Sequence, residues 1–263
     1  MDSSRTLASW GPRTHRFALA SLTKLLSAYA VLVAVEEGTV TLADPAGPSG
    51  STVEHLLAHA SGLGSDGGVL AEPATRRIYS NSGFEALADH LEAASGMSAT
   101  DYVRAAVVEP LGLTDTGFAT ASLAHGLEST LADVARFAQE LLAPTLIAAQ
   151  TLSNATSVHF PGLAGVLPGF GRQQPNDWGL GFELRSEKSP HWTGHTSSPA
   201  TFGHFGRSGT LLWVDPERDV AMVVLTNKLF DEWARQSWPT MTDQVLQVLD
   251  QNSMTTAPLR RSR

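Results

Sequence analysis

Cysteine is missing from all 263 positions, which excludes disulfides, cysteine nucleophiles and thiolate metal centres. Positive charge is also short. The formal net charge is −8 and the isoelectric point is near 5.5, so neither nucleic acid nor an anionic membrane is expected as a partner. No apolar stretch comes near about 20 residues without polar breaks, and the opening Met1-Asp-Ser-Ser-Arg5 lacks the charged-then-apolar pattern of a secretory leader. A cytoplasmic location is therefore expected. Charge runs, an acidic tail and internal repeats are absent too.

What is present is a large apolar fraction, 42%, enough for one sizeable core or two closely packed lobes. From Ser21 to Glu37 almost every residue is Leu, Val, Ala or Tyr, and Gly38 follows where a helix is expected to stop. This stretch predicts a helix apolar on all sides and therefore central and buried. Ser21 and Lys24, three residues apart, share its first turn. The next carboxylates along the helix, Glu36 and Glu37, lie roughly 18 Å away at about 1.5 Å per residue. A lysine enclosed by apolar groups favours its neutral amine, which can accept the serine proton. The plainer alternative is an N-cap serine beside a snorkelling lysine.

Along the chain, short strands are expected at Thr6–Trp10 and Arg16–Ala20, followed by the long helix and a loop over Thr39–Gly50. Ser51-Thr-Val-Glu54 reads as a capping box opening a helix with His55 and His59 four apart, the spacing of paired metal ligands, although no third ligand is near. Gly62–Gly68 is glycine-rich but lacks the lysine of a phosphate cradle. Helical patterns follow at Gly83–Ser95, Ala99–Val108 and Leu131–Leu142. Trp178–Leu184 reads as strand. Leu211–Val214 and Val220–Thr226 form a hairpin turned by Asp215-Pro-Glu-Arg-Asp219. A last helix is expected over Trp238–Asp250, with Gln251–Arg263 as a frayed tail.

Two further segments bear on Ser21. Tyr79-Ser-Asn81 precedes a helix, and Gly203-His204-Phe205-Gly206-Arg207 precedes the hairpin, with glycines that let a ligand approach the backbone. Ser21-Leu-Thr-Lys24, Tyr79-Ser-Asn81 and His204-Phe-Gly206, in that order, resemble the three motifs of the penicillin-recognising serine hydrolases. The resemblance is to the class C β-lactamase-like family, which includes penicillin-binding proteins, D-aminopeptidases and esterases. His55-Leu-Leu-Ala-His59-Ala-Ser-Gly-Leu63, Glu109-Pro-Leu-Gly-Leu113 and Trp213-Val-Asp-Pro216 are also similar to that family, in which the first block is structural.

The resemblance implies an α+β fold, an antiparallel sheet flanked by helices with an inserted, mostly helical subdomain. Residues 1–50 and 170–263 would form the sheet subdomain and 51–169 the helical one, with the active site between them. Ser21 would be the nucleophile, Lys24 its base partner and Tyr79 a proton relay. Asn81 would orient Lys24 or the substrate, and His204, Phe205, Gly206 and Arg207 would border the substrate, with the Ser21 and Arg207 amides as oxyanion donors. No cofactor or metal is implied.

This sequence departs from the family pattern twice. His204 stands where β-lactamases and peptidases usually carry lysine, and a neutral imidazole suits a substrate carboxylate less well. That favours an esterase or amidase acting on a small-molecule ester or amide over a β-lactamase or D-amino-acid peptidase, with a catalytically silent ligand-binding member as a further alternative. Only twenty residues precede Ser21, where the family has two strands feeding the hairpin sheet. An exposed sheet edge would invite a second subunit, so a homo-oligomer is among the expectations. Trp178, Trp192 and Phe205 offer an apolar acyl pocket, with core packing as the alternative.

Overall fold

The computed structural model describes the backbone of residues 1–256 and the side chains of residues 1–251. The elements in order are β1 (Arg16–Ala18), α1 (Thr23–Glu36), α2 (Val53–Leu57), α3 (Asn81–Ser95), α4 (Ala99–Val103), β2 (Gly117–Phe118), β3 (Leu127–Thr130), α5 (Leu131–Leu142), α6 (Ala149–Ala155), β4 (Gly165–Leu167), β5 (Gly171–Gln173), β6 (Glu183–Leu184), β7 (Phe202–Gly206), β8 (Thr210–Asp215), β9 (Val220–Val224) and α7 (Glu232–Thr256). The architecture is α+β. One antiparallel sheet runs β6-β7-β8-β9, a second runs β1-β3-β2, and β4 and β5 form a separate hairpin.

Helix α1 is central because most of its side chains, on every side, are apolar, and Thr23 through Ala34 are all buried. The hairpin sheet separates two apolar layers by strand alternation. Leu212, Val214 and Ala221 join the large core around α1, whereas Leu211, Trp213 and Val220 pack with Ala234, Trp238 and Leu246 of α7. All six residues of β8 are therefore buried, alternating between the two layers.

Several sequence expectations change. The helix begun at Ser21 starts as a 3-10 turn, Ala20–Leu22, before α1 proper. Thr52 rather than Ser51 caps α2, and Glu54 turns away from the cap to bond His159 Nδ1 at 2.7 Å. Trp178–Leu184 is strand only at Glu183–Leu184, with an isolated bridge between Trp178 and Glu183. Helix α7 begins earlier than expected, at Glu232, carries Pro239 inside it and continues to Thr256. Residues 257–263 of the expected tail lie outside the described residues.

The N-terminal segment also differs. No strand forms at Thr6–Trp10, and β1 pairs with β3 rather than with the hairpin sheet. The outer edge of β9 is met by Met1, whose amino group and carbonyl bond Ala221 at 2.9 Å each.

Candidate active site

Ser21 lies in the short turn between β1 and α1. Ala20, just before it, holds φ 48°, a left-handed conformation that costs a non-glycine residue energy and persists only where the surroundings enforce it. The enforcement comes from the far end of the chain. Thr210 Oγ1 donates to the Leu19 carbonyl at 2.9 Å and Ser208 Oγ to the Ala18 carbonyl at 2.6 Å. Gly206 at the end of β7 lies so close that a Cβ there would meet the Leu19 oxygen at 2.5 Å. As a first-turn amide, Ser21 N–H has no helical carbonyl within its own turn.

Lys24 is fully buried. Its Nζ donates to Asn81 Oδ1 at 2.7 Å and to the Ala124 carbonyl at 2.9 Å, and it stands 4.9 Å from the centre of the Tyr79 ring. Both acceptors are neutral. Burial therefore pulls the amine down to about 7, with Glu85 acting weakly in the opposite sense.

Ser80 caps α3, accepting from Gly83 N–H at 2.9 Å and donating to the Gly64 carbonyl at 2.8 Å, and this fixes Tyr79 and Asn81 on either side of it. Burial pushes the Tyr79 phenol well above its ordinary value, keeping it protonated at neutral pH. Its hydroxyl meets no partner at full hydrogen-bonding geometry among the described residues, yet Ser21 is close enough to oppose part of that shift. His59 packs its ring 4.8 Å from Tyr79 and accepts the Ser80 N–H on Nδ1 at 3.2 Å. His55 instead stacks on Phe160 at 4.3 Å, so the two histidines serve different surroundings.

His204 is buried in β7. Its Nδ1 lies 2.6 Å from the Phe205 carbonyl, and its ring is 5.6 Å from those of both Tyr79 and Trp178. Since a carbonyl only accepts, Nδ1 carries the proton and Nε2 presents a lone pair. Burial, and then the nearby Lys24, drop its pKa to about 3, so the imidazole is neutral at all physiological pH.

A cavity of about 390 Å³ brings together Ser21, Tyr79, Asn81, His204, Phe205 and Arg207. Lys24 reaches it through Asn81, and Gly206 contributes backbone packing. Trp178 lines the cavity, whereas Trp192 packs in the α7 layer and donates its Nε1–H to Glu183 at 2.7 Å. Glu183 also borders the cavity. Burial alone would raise its carboxyl, but His191 and Lys188 together outweigh that and hold it near 2.

Residues 5–247 match the family model for β-lactamase. This chain belongs to the β-lactamase family. A solved β-lactamase from Mycobacterium bovis is 52% identical with a TM-score of 0.93, covering 94% of this chain and 92% of that one. EstCE1, a hydrolase with promiscuous acyltransferase activity, shares the fold at 19% identity and a TM-score of 0.73, over 89% of this chain and 85% of that one. Penicillin-binding protein 4* of Bacillus subtilis (strain 168) is 31% identical over 38% of this chain, a match that spans only 30% of that relative's length. The β-lactamase/transpeptidase-like fold expected from the motifs is thus the observed one, and a serine-hydrolase scaffold comes with it. Among the described residues, no helix is long and apolar enough to cross a membrane.

Sequence reasoning missed several cavity residues. Leu167 at the end of β4, Pro168 and Gly169 in the turn after it, and Phe230 in the loop before α7 lie in segments that carry no motif. The Ala124 carbonyl is a backbone group without a sequence signature. Glu183 had a signal: a single carboxylate in the apolar run Trp178–Leu184 must find buried partners.

Proposed function

We propose that this protein hydrolyses an uncharged small-molecule ester or amide through an acyl-enzyme on Ser21. The observation that carries this reading is the Lys24 amine, buried, bonded only to neutral acceptors and titrating near 7 beside Tyr79, whose hydroxyl in turn lies near Ser21. At neutral pH a large share of it is free base. As Ser21 Oγ attacks the substrate carbonyl, its proton passes to Lys24, directly or by way of the Tyr79 hydroxyl. The phenol acts as a proton carrier rather than a resident phenolate, because burial keeps it protonated. The negative charge on the carbonyl oxygen is received by the Ser21 and Arg207 amides. Collapse of the intermediate expels the alcohol or amine with the proton returned from Lys24. Water then attacks the acyl-enzyme, giving one proton to the same amine, and as the carbonyl carbon–Oγ bond breaks that proton passes to Ser21 Oγ, releasing the acid, free Ser21 and neutral Lys24.

The neutral His204 supports an uncharged substrate, since it offers a lone pair where a carboxylate would need a cation. A second reading, β-lactam hydrolysis, is favoured by the description of the 52% identical relative as a β-lactamase and by Arg207 at the cavity. The test is hydrolysis of p-nitrophenyl butyrate by wild type and Ser21→Ala, with intact mass recorded during turnover. The expected result is nitrophenol release that disappears in Ser21→Ala and a transient butyryl adduct on wild type only. Equal rates in both proteins would overturn the nucleophile. A covalent adduct and turnover with nitrocefin in place of the ester would favour the second reading.

A further inference from the structure

The candidate site has two chemically different ends. Ser21, Tyr79, Asn81 and His204 make the polar end, and nothing in the proposed chemistry uses the other, formed by Leu167, Pro168, Gly169, Phe205 and Phe230. That apolar end is built rather than incidental. Gly169, at φ 79° in the turn of the β4–β5 hairpin, approaches Phe230 so closely that a Cβ there would lie 2.7 Å from the ring. On its other side the Phe230 ring meets Phe205 at 4.9 Å and Trp238 at 5.3 Å. Its backbone is anchored as well, with the Phe230 N–H donating to the Arg207 carbonyl at 2.8 Å. A half-buried aromatic ring is thus clamped between a hairpin turn and the α7 layer where it lines the chamber.

We infer that Phe230 is a specificity-determining wall of a subsite for an unbranched apolar chain, so that the substrate is an ester or amide carrying an alkyl group. The chamber, about 390 Å³, lies within the range of small-molecule pockets. This rests on the Ser21 reading. The length measurement is made relative to the shortest ester, so its failure is distinct from loss of hydrolysis altogether.

The experiment is a chain-length series on purified protein. p-Nitrophenyl esters from acetate to decanoate vary the acyl side, and n-alkyl acetates from methyl to octyl vary the alcohol side. In one of the two series, kcat/KM is expected to rise about three- to fourfold per methylene up to an optimum and then to fall. That series identifies which part of the substrate enters the subsite. Phe230→Ala is expected to move the optimum to longer chains and Phe230→Trp to shorter ones, each read as a ratio to the shortest ester of the same protein. Phe230→Leu, a milder change, should move it in the Ala direction if Phe230→Ala fails to fold. Flat profiles in both series, or an optimum indifferent to these variants, would overturn the assignment.

Discussion

Two lysines are buried in this molecule, and they do different things. Lys24 donates to a side-chain amide and a backbone carbonyl, both neutral, and titrates near 7. Lys188 donates to the carboxylate of Glu183 and to the Asp177 carbonyl at 2.7 Å, with His191 and Trp192 holding the second carboxylate oxygen. Burial lowers both amines and is the largest influence on each, but only at Lys188 does a directly bonded carboxylate oppose it. The difference teaches that burial alone does not make a base. An amine excluded from water becomes one only when its acceptors carry no charge.

The comparison can be broken at either lysine. Lys24→Met should lower esterase kcat/KM by about 10³-fold or more, since groups that act as a unit fail together. Its stability should respond in the opposite sense. The Lys24 pKa is lower folded than unfolded, so the unfolded chain binds more protons between about 7 and 10.5, and wild-type stability gains from this group as pH rises through that window. Lys24→Met should remove that gain and be relatively more stable below pH 7 in urea titrations. Lys188→Met is the converse. It leaves Glu183 buried without its cation and should cost about 3 kcal/mol by urea unfolding, with Glu183→Gln added to it recovering part of the loss.

A smaller change sharpens the contrast. Asn81→Asp gives Lys24 the charged acceptor that Lys188 has, and should raise its pKa. In wild type the acid limb of kcat/KM against pH should fall near 7, where Lys24 loses its proton. In the variant that limb should move up by about one unit or more, costing about tenfold at pH 7 and less at pH 9. An unmoved limb would show that Lys24 is not the titrating base.

Much of this was legible in the sequence because the informative residues break a local rule. Ser21 and Lys24 are polar groups in an apolar helix, and Tyr79 and Asn81 flank a cap serine, so each signals within a few positions. The hairpin was visible from alternation and its turn. What was not legible depends on pairings between distant segments. Nothing near Arg16 announces that β1 joins β3, and no pattern in Ala149–Ala155 betrays α6. The apolar end of the cavity is assembled from the 167–169 turn and Phe230, whose proximity exists only after packing.

The turn that carries Ser21 is held in its left-handed conformation by hydroxyls at Ser208 and Thr210, across sequence separations of 190 and 191 residues. This sets an order of events during biogenesis. The candidate nucleophile is synthesised before the clamp that shapes its surroundings, which must emerge and dock about 190 residues later. Until the β7–β8 hairpin closes over it, a nascent or partly unfolded chain carries the serine without the geometry, and competence arrives with the completed fold rather than with the motif.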